Sequence, residues 1–105
     1  MRDISVNGIQ YFVIIVEQKK KKKFLSLLNE YEARGIEVRY AHGSMSPSAI
    51  AAAFGLEAVQ NKVMLSCLLK KEKAKQLIHV LYHDYKFNQP NTGIAFSVTV
   101  EGLSF

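Results

Sequence analysis

The distribution of apolar and polar positions along this chain predicts four strands. Residues 11–16 and 62–69 are nearly continuous apolar runs, which is typical of strands buried on both faces. Residues 36–41 and 94–100 instead alternate between apolar and polar side chains, which is typical of half-buried strands. Every predicted strand is bounded by polar or glycine-containing stretches.

Two further stretches, residues 19–34 and 71–85, carry apolar residues at helical spacing. Gly35 follows the first stretch and is well placed to end that helix. The apolar positions are Phe24, Leu27, Leu28 and Tyr31 in the first helix, and Ala74, Leu77, Ile78, Leu81 and Tyr85 in the second.

The predicted order is β-α-β, an insertion, then β-α-β. In the insertion, Ser46 and Pro47 form an N-cap signature that predicts a short helix over residues 48–54. The order indicates an α+β, ferredoxin-like (split βαβ) fold: a four-stranded antiparallel sheet with two helices on one face, plus the short helix of the mid-chain insertion. We expect residues 1–105 to form a single domain.

Two helices can cover only one face of such a sheet, yet the first and third strands are apolar on both faces. A large exposed apolar patch is rare on a soluble monomer. The pattern therefore predicts a homo-oligomer that associates through the open face of the sheet.

Composition is typical of a soluble globular domain, with 49% hydrophobic and 22% charged residues among 105. No apolar run reaches the roughly 20 residues of a membrane-spanning helix, and the first residues lack the pattern of a secretion signal. Cys67 is the only cysteine, so no intrachain disulfide can form. We therefore expect a cytoplasmic protein without a membrane span.

The formal charge of +5 comes entirely from one lysine segment, Lys19, Lys20, Lys21, Lys22 and Lys23. These lysines are either a partner-binding patch or a solvated helix start. Aromatic residues do not interleave with them, and the third strand offers only aliphatic residues, so binding of nucleic acid is not expected.

Catalytic and metal-binding patterns are weak. Ser44, Ser46 and Cys67 have no evident base in sequence, so we expect no enzymatic activity and no catalytic residues. His79 and His83 lie one helical turn apart, but the sequence offers no third ligand at a spacing typical of metal sites. We therefore expect no metal site.

The second half of the chain resembles the PII signal-transduction family. The resemblance lies in the strand, helix and polar loop that lead to Gly93 and the following Ile-Ala-Phe strand, and in the Tyr-Ala-His-Gly-Ser segment at residues 40–44. It implies a homotrimeric regulatory protein that binds a small effector between its subunits, with an adenine nucleotide as one candidate. It also implies a protein partner, such as a transporter or a metabolic enzyme, and no bound cofactor.

The resemblance also implies which residues bind the effector. A lysine of the family directly after the last glycine of the phosphate loop is replaced here by Ile94, and the loop keeps one glycine. Each lost cation removes about 1.5–3 kcal/mol of phosphate binding, which predicts weak binding of ATP and favours a less charged nucleotide or another metabolite. The implied ligand-binding residues are His42, Gly43 and Ser44 of the mid-chain loop, Lys62 of the third strand, and Asn91, Thr92 and Gly93 of the phosphate loop.

An alternative interpretation of the same residues belongs to another functional class. The chain would then be a non-sensing structural or interaction module with a degenerate ligand cleft. Its lysine segment would make the functional contact. Ligand binding separates this hypothesis from the sensor hypothesis.

Overall fold

The computed structural model describes residues 3–4, 8–40, 61–90, 92–100 and 103–104. The elements in chain order are β1 (Asp3–Ile4), β2 (Ile9–Glu17), a 3-10 helix (Gln18–Lys20), α1 (Lys21–Glu30), β3 (Arg34–Tyr40), β4 (Lys62–Lys70), α2 (Lys71–His83), β5 (Ile94–Thr99) and β6 (Leu103–Ser104). Four of the strands form one antiparallel sheet in the order β3-β4-β2-β5. This confirms the predicted α+β, ferredoxin-like fold.

A second, two-stranded sheet joins β1 to β6. The sequence pattern does not predict this sheet, because two-residue strands are too short to show alternation. The short helix predicted over residues 48–54 lies outside the described residues. No helix among the described residues is long and apolar enough to cross a membrane.

The main core lies between the sheet and the two helices. Alternate residues of β2 and β4 point toward the helices, because side chains alternate between the faces of a strand. This core contains Phe12, Ile14 and Val16 of β2, Val63, Leu65, Cys67 and Leu69 of β4, Phe24, Leu27 and Leu28 of α1, Ala74, Leu77 and Leu81 of α2, and Phe87 of the loop before β5.

The opposite face of the sheet, here called the open face, carries a second apolar cluster. Val13, Ile15 and Met64 are buried there, and Ile94 and Phe96 of β5 pack against them. This confirms that the two central strands are buried on both faces. Farther along the same face, Tyr11 is paired with Val98, and their exposed fractions are 40% and 52%.

The end of α1 differs from the prediction. The helix ends at Glu30, and Glu32 takes the left-handed conformation, with φ of 61°, that was expected for Gly35. The backbone N–H of Ala33 donates to the carbonyl of Leu28 at 3.0 Å, which closes the helix in the manner of a C-cap. Gly35 also has a positive φ of 61°, but it lies within β3.

Candidate functional site

One end of the sheet brings together the chain segments that flank the predicted site. At this end β2 finishes at Glu17, which lies opposite Lys62, the first residue of β4. On the other side of β2, the first residue of β5, Ile94, lies opposite Ile15. β3 finishes here as well, at Tyr40. The chain on either side of the mid-chain segment, residues 42–61, therefore lies at the same end of the sheet as the loop before β5. We call this end the loop end of the sheet.

Lys62 and Gly93 flank the last residues of β2 from opposite sides. Since neighbouring strands are about 4.8 Å apart, their backbones are separated by roughly 10 Å. Lys62 is half-buried. Its backbone carbonyl accepts a hydrogen bond from Nε2 of Gln18 at 3.4 Å. A primary amine therefore stands at the beginning of a rigid central strand, across β2 from the loop before β5.

The exit of the mid-chain segment is fixed by a backbone hydrogen bond. The N–H of Gln18 donates to the carbonyl of Asn61 at 2.7 Å. Asn61 has a positive φ of 63°, a conformation that asparagine adopts more readily than most residues. An open concavity of about 560 Å³ beside this contact is lined by Glu17, Gln18, Lys19 and Asn61. The sequence pattern does not single out Glu17, Gln18 or Asn61 as site residues; the available signal was an asparagine directly before a predicted strand.

The loop before β5 is shaped by packing. Gly93 approaches the Phe87 ring so closely that an added Cβ would lie 2.6 Å from Cζ of that ring. The Thr92 hydroxyl donates to the carbonyl of Pro90 at 3.5 Å. Because Thr92 and Gly93 directly precede Ile94, the first residue of β5, both lie at the loop end of the sheet.

The lysine segment lies beside this end and is partly neutralised. Lys19 and Lys20 each place Nζ 3.7 Å from a carboxylate oxygen of Glu17. Lys21 donates from Nζ to the hydroxyl of Tyr40, the last residue of β3. The segment is thus tied to the ends of β2 and β3.

The second part of the segment lies in the first turn of α1. Lys23 holds Nζ 5.0 Å from the centroid of the Tyr85 ring and 5.8 Å from that of Phe24, within the range of cation–π interactions. Lys22 is exposed, and among the described residues it forms no ion pair and no cation–π contact. In the first part of the segment, two cations share the single carboxylate of Glu17 and Lys21 contacts the neutral side chain of Tyr40, which leaves the loop end positively charged.

Ile94 occupies the position where the family resemblance implies a lysine. Its side chain packs on the open face with Val13, Ile15 and Met64. It thus contributes apolar surface to the sheet and supplies no cation for a phosphate.

The predicted ligand-binding residues divide into two groups. Lys62, Thr92 and Gly93 are brought together at the loop end of the sheet. His42, Gly43 and Ser44 lie outside the described residues, as does Asn91. Tyr40, two residues before His42, ends β3 at the same edge.

The described candidates for catalysis or metal binding are Cys67, His79 and His83. Cys67 is buried between sheet and helices, and this burial raises the pKa of its thiol to about 11; at neutral pH it is a protonated, inaccessible group. The rings of His79 and His83 on α2 have centroids 4.3 Å apart, and both residues are exposed. Among the described residues, no group of three or more His, Cys, Asp or Glu side chains could hold a metal ion.

Comparison with known proteins gives structural matches only. No protein-family model matches the chain, and no curated protein matches it. Among solved structures, it is similar to CPII, a nitrogen regulatory PII-like protein from Thiomonas intermedia K12 bound to ADP, AMP and bicarbonate, with 14% identity, a TM-score of 0.66 and coverage of 99% of this chain and 98% of that one.

Two further structures give the same result. A PII-like signalling protein from Thermus thermophilus is 16% identical, with a TM-score of 0.62 and coverage of 98% of this chain and 90% of that one. CPII bound to ADP, AMP and acetate is 14% identical, with the same TM-score and coverages. The chain therefore has the fold of the PII-like proteins over nearly its whole length, as the resemblance implied.

Proposed function

We propose that this chain is a divergent PII-like regulatory protein that binds a small effector and signals to a partner protein. The observation that carries the proposal is the loop end of the sheet, where Lys62, Thr92 and Gly93 lie beside both ends of the mid-chain segment. A ligand bound there can contact a rigid strand and the segment that would report its presence.

An adenine nucleotide is the first candidate effector. CPII, which shares the fold, is described as bound to ADP and AMP. The cationic side chains of Lys62 and of the adjacent lysine segment suit a phosphate group. Because Ile94 supplies no cation, we expect AMP or ADP to bind more tightly than ATP.

The effector site would lie between the subunits of a homotrimer. The open face of the sheet supports this proposal, because it continues from the buried cluster around Val13 and Ile15 to the exposed pair Tyr11 and Val98. Val13 and Ile15 are already buried within one chain. Contact with neighbouring subunits would therefore remove from water the exposed remainder of this face, Tyr11 and Val98. Each subunit would be a single cytoplasmic domain.

Signalling would be a shift between two states of the mid-chain segment, residues 42–61. A ligand with different affinities for the two states changes their populations by that difference. The favoured state would then bind, or release, a partner such as a transporter or a metabolic enzyme. The protein would act by binding and would catalyse no reaction.

Isothermal titration calorimetry tests this function. The protein would be titrated with ATP, ADP, AMP and cyclic AMP, each with and without magnesium. We expect saturable binding near one ligand per subunit, with Lys62→Gln weakening it by about tenfold or more, the loss of one charge-assisted hydrogen bond. Lys75→Gln, an equal change of charge on the exposed face of α2, should leave binding unchanged.

The absence of heat with every nucleotide would contradict the nucleotide proposal. It would shift the weight to another metabolite or to the alternative, an interaction module whose contact is the lysine segment. If Lys62→Gln and Lys75→Gln weaken nucleotide binding equally, the effect comes from the net charge of the protein and not from a site at the loop end of the sheet.

A further inference from the structure

A second concave site lies at the end of the sheet opposite the loop end. This pocket has a volume of about 280 Å³, near the lower limit for small-molecule sites. Its apolar wall is formed by Ile9, Leu68, Leu69 and Tyr31. Its rim carries four charged side chains, those of Glu32, Arg34, Lys70 and Lys73.

The pocket is separate from the proposed effector site. Lys70 is the last residue of β4, and Lys62 is the first. Eight residue steps of an extended strand place them roughly 26 Å apart. Within one subunit, a ligand in one site therefore cannot contact the other, and a substitution at one end leaves the residues at the other end unchanged.

The local backbone explains why a hollow exists here. Glu32 and Gly35 both have φ of 61°, so the chain turns sharply twice as it leaves α1 and enters β3. The pairing of β3 with β4 shifts register between Arg34 and Glu37. This irregularity interrupts the close packing of the two strands beside the apolar wall.

The rim of the pocket is positively charged. Glu32 places a carboxylate oxygen 3.4 Å from Nζ of Lys73, so these two charges are paired. Arg34 and Lys70 are exposed, and within the described parts of the chain neither has a carboxylate within ion-pair distance. Two cations therefore remain to bind an anion, next to an apolar wall.

We propose that this pocket binds a small amphipathic organic anion, a molecule with one carboxylate and a medium-length aliphatic chain. The guanidinium of Arg34 matches a carboxylate in shape and can donate two parallel hydrogen bonds. The apolar body would contact the half-buried apolar side chains of the lining, those of Ile9, Leu68 and Tyr31. A polyanion such as a nucleotide fits less well, because most of the wall is apolar.

Octanoate is a suitable probe, with octanol as its uncharged counterpart. Titration of the isotope-labelled protein, followed by amide chemical shifts, locates the binding site. We expect octanoate to shift amides of residues 31–34 and 68–70, and octanol to bind at least several-fold more weakly. Arg34→Gln should weaken octanoate binding by about tenfold.

Arg39→Gln provides the matched control, because Arg39 lies on the same strand, is also exposed and already pairs with Glu37. It should leave octanoate binding unchanged. The proposal is overturned if octanoate causes no shifts at residues 31–34 and 68–70, if octanol binds as tightly, or if the two arginine variants behave alike. Binding of AMP or ADP should be unaffected by Arg34→Gln, so this test is independent of the effector proposal.

Discussion

The ring of Phe87 fills the space that a side chain at residue 93 would need. An ideal Cβ on Gly93 would lie 2.6 Å from Cζ of Phe87 and 2.9 Å from both Cε atoms. The ring cannot move away easily, because it is buried and its centroid lies 5.6 Å from that of Phe24 in the main core. The loop before β5 is therefore held on the helices by a contact that only glycine permits.

Gly93→Ala should destabilise the protein. The added methyl group must displace a packed ring, and overpacking of this kind costs about 1–3 kcal/mol. Gly93 does not have a positive φ, so the cost arises from the contact and not from backbone strain. Urea denaturation of the wild type and the variant measures the loss.

A double-mutant cycle with Phe87→Leu provides the control. Leucine removes the ring atoms that a Cβ at residue 93 would meet, so Gly93→Ala should cost much less in that background. We expect a coupling free energy of about 1–2 kcal/mol between the two substitutions. An equal cost in both backgrounds would show that the contact is not the cause.

Gly93 also illustrates what the sequence can reveal. The alternating pattern that follows it predicts that Gly93 lies in the loop directly before the last strand, and the structure begins β5 at Ile94. The sequence does not reveal why residue 93 must be glycine, because nothing in a linear pattern shows that Phe87, between the polar residues Lys86 and Asn88, packs in the core. The contact joins two residues six positions apart through a loop whose path is set by tertiary structure.

Cys67 should make stability depend on pH in the alkaline range. Burial raises the pKa of its thiol from 9.0 to about 11. Below pH 9 the thiol is protonated in both folded and unfolded states, so its contribution is constant. Between pH 9 and 11 the unfolded thiol ionises first, and the free energy of unfolding falls by an amount on the order of 2 kcal/mol at pH 11.

Cys67→Ala isolates this contribution from the tyrosines and lysines that titrate nearby in pH. At about pH 8 the variant should be less stable than the wild type, because a buried side chain is truncated. That difference should shrink as the pH rises above 9. A difference in the free energy of unfolding that stays constant from about pH 8 to about pH 10.5 would contradict the prediction.

The helix boundaries show a second limit of sequence patterns. The apolar face of α1 was predicted correctly at Phe24, Leu27 and Leu28, because helical spacing reports directly on burial. The end was placed too late, because glycine is the usual left-handed residue and Gly35 was the nearest one. Glu32 adopts that conformation instead, which is rare for a residue other than glycine, and its carboxylate then pairs with Lys73 of α2.

Lys23 and Lys22 should differ in their effect on stability although they are neighbours of equal charge. Lys23 lies near the Tyr85 and Phe24 rings, and an exposed cation–π contact is worth about 0.5–1 kcal/mol. Lys23→Gln should lower the free energy of unfolding by that amount, whereas Lys22→Gln should stay within about 0.5 kcal/mol of the wild type. Equal effects in urea denaturation would mean that the ring contacts contribute nothing.

Val98→Glu should disrupt the proposed homotrimer. Val98 pairs with Tyr11 on the open face and has an exposed fraction of 52%, so the substitution costs little in the isolated chain. In an assembly joined through this face, it would bury a carboxylate among apolar groups, which is strongly unfavourable. Light scattering coupled to size-exclusion chromatography should therefore give the mass of a trimer for the wild type and that of a monomer for the variant.

Tyr82→Glu is the matched control for this experiment. Tyr82 is also a large hydrophobic residue with an exposed fraction of 52%, but it lies on α2, on the other side of the sheet. Its substitution should leave the mass unchanged. If Tyr82→Glu dissociates the assembly and Val98→Glu does not, then subunits associate through the helices. The apolar open face would then need another explanation, and the site between subunits would have to be sought elsewhere.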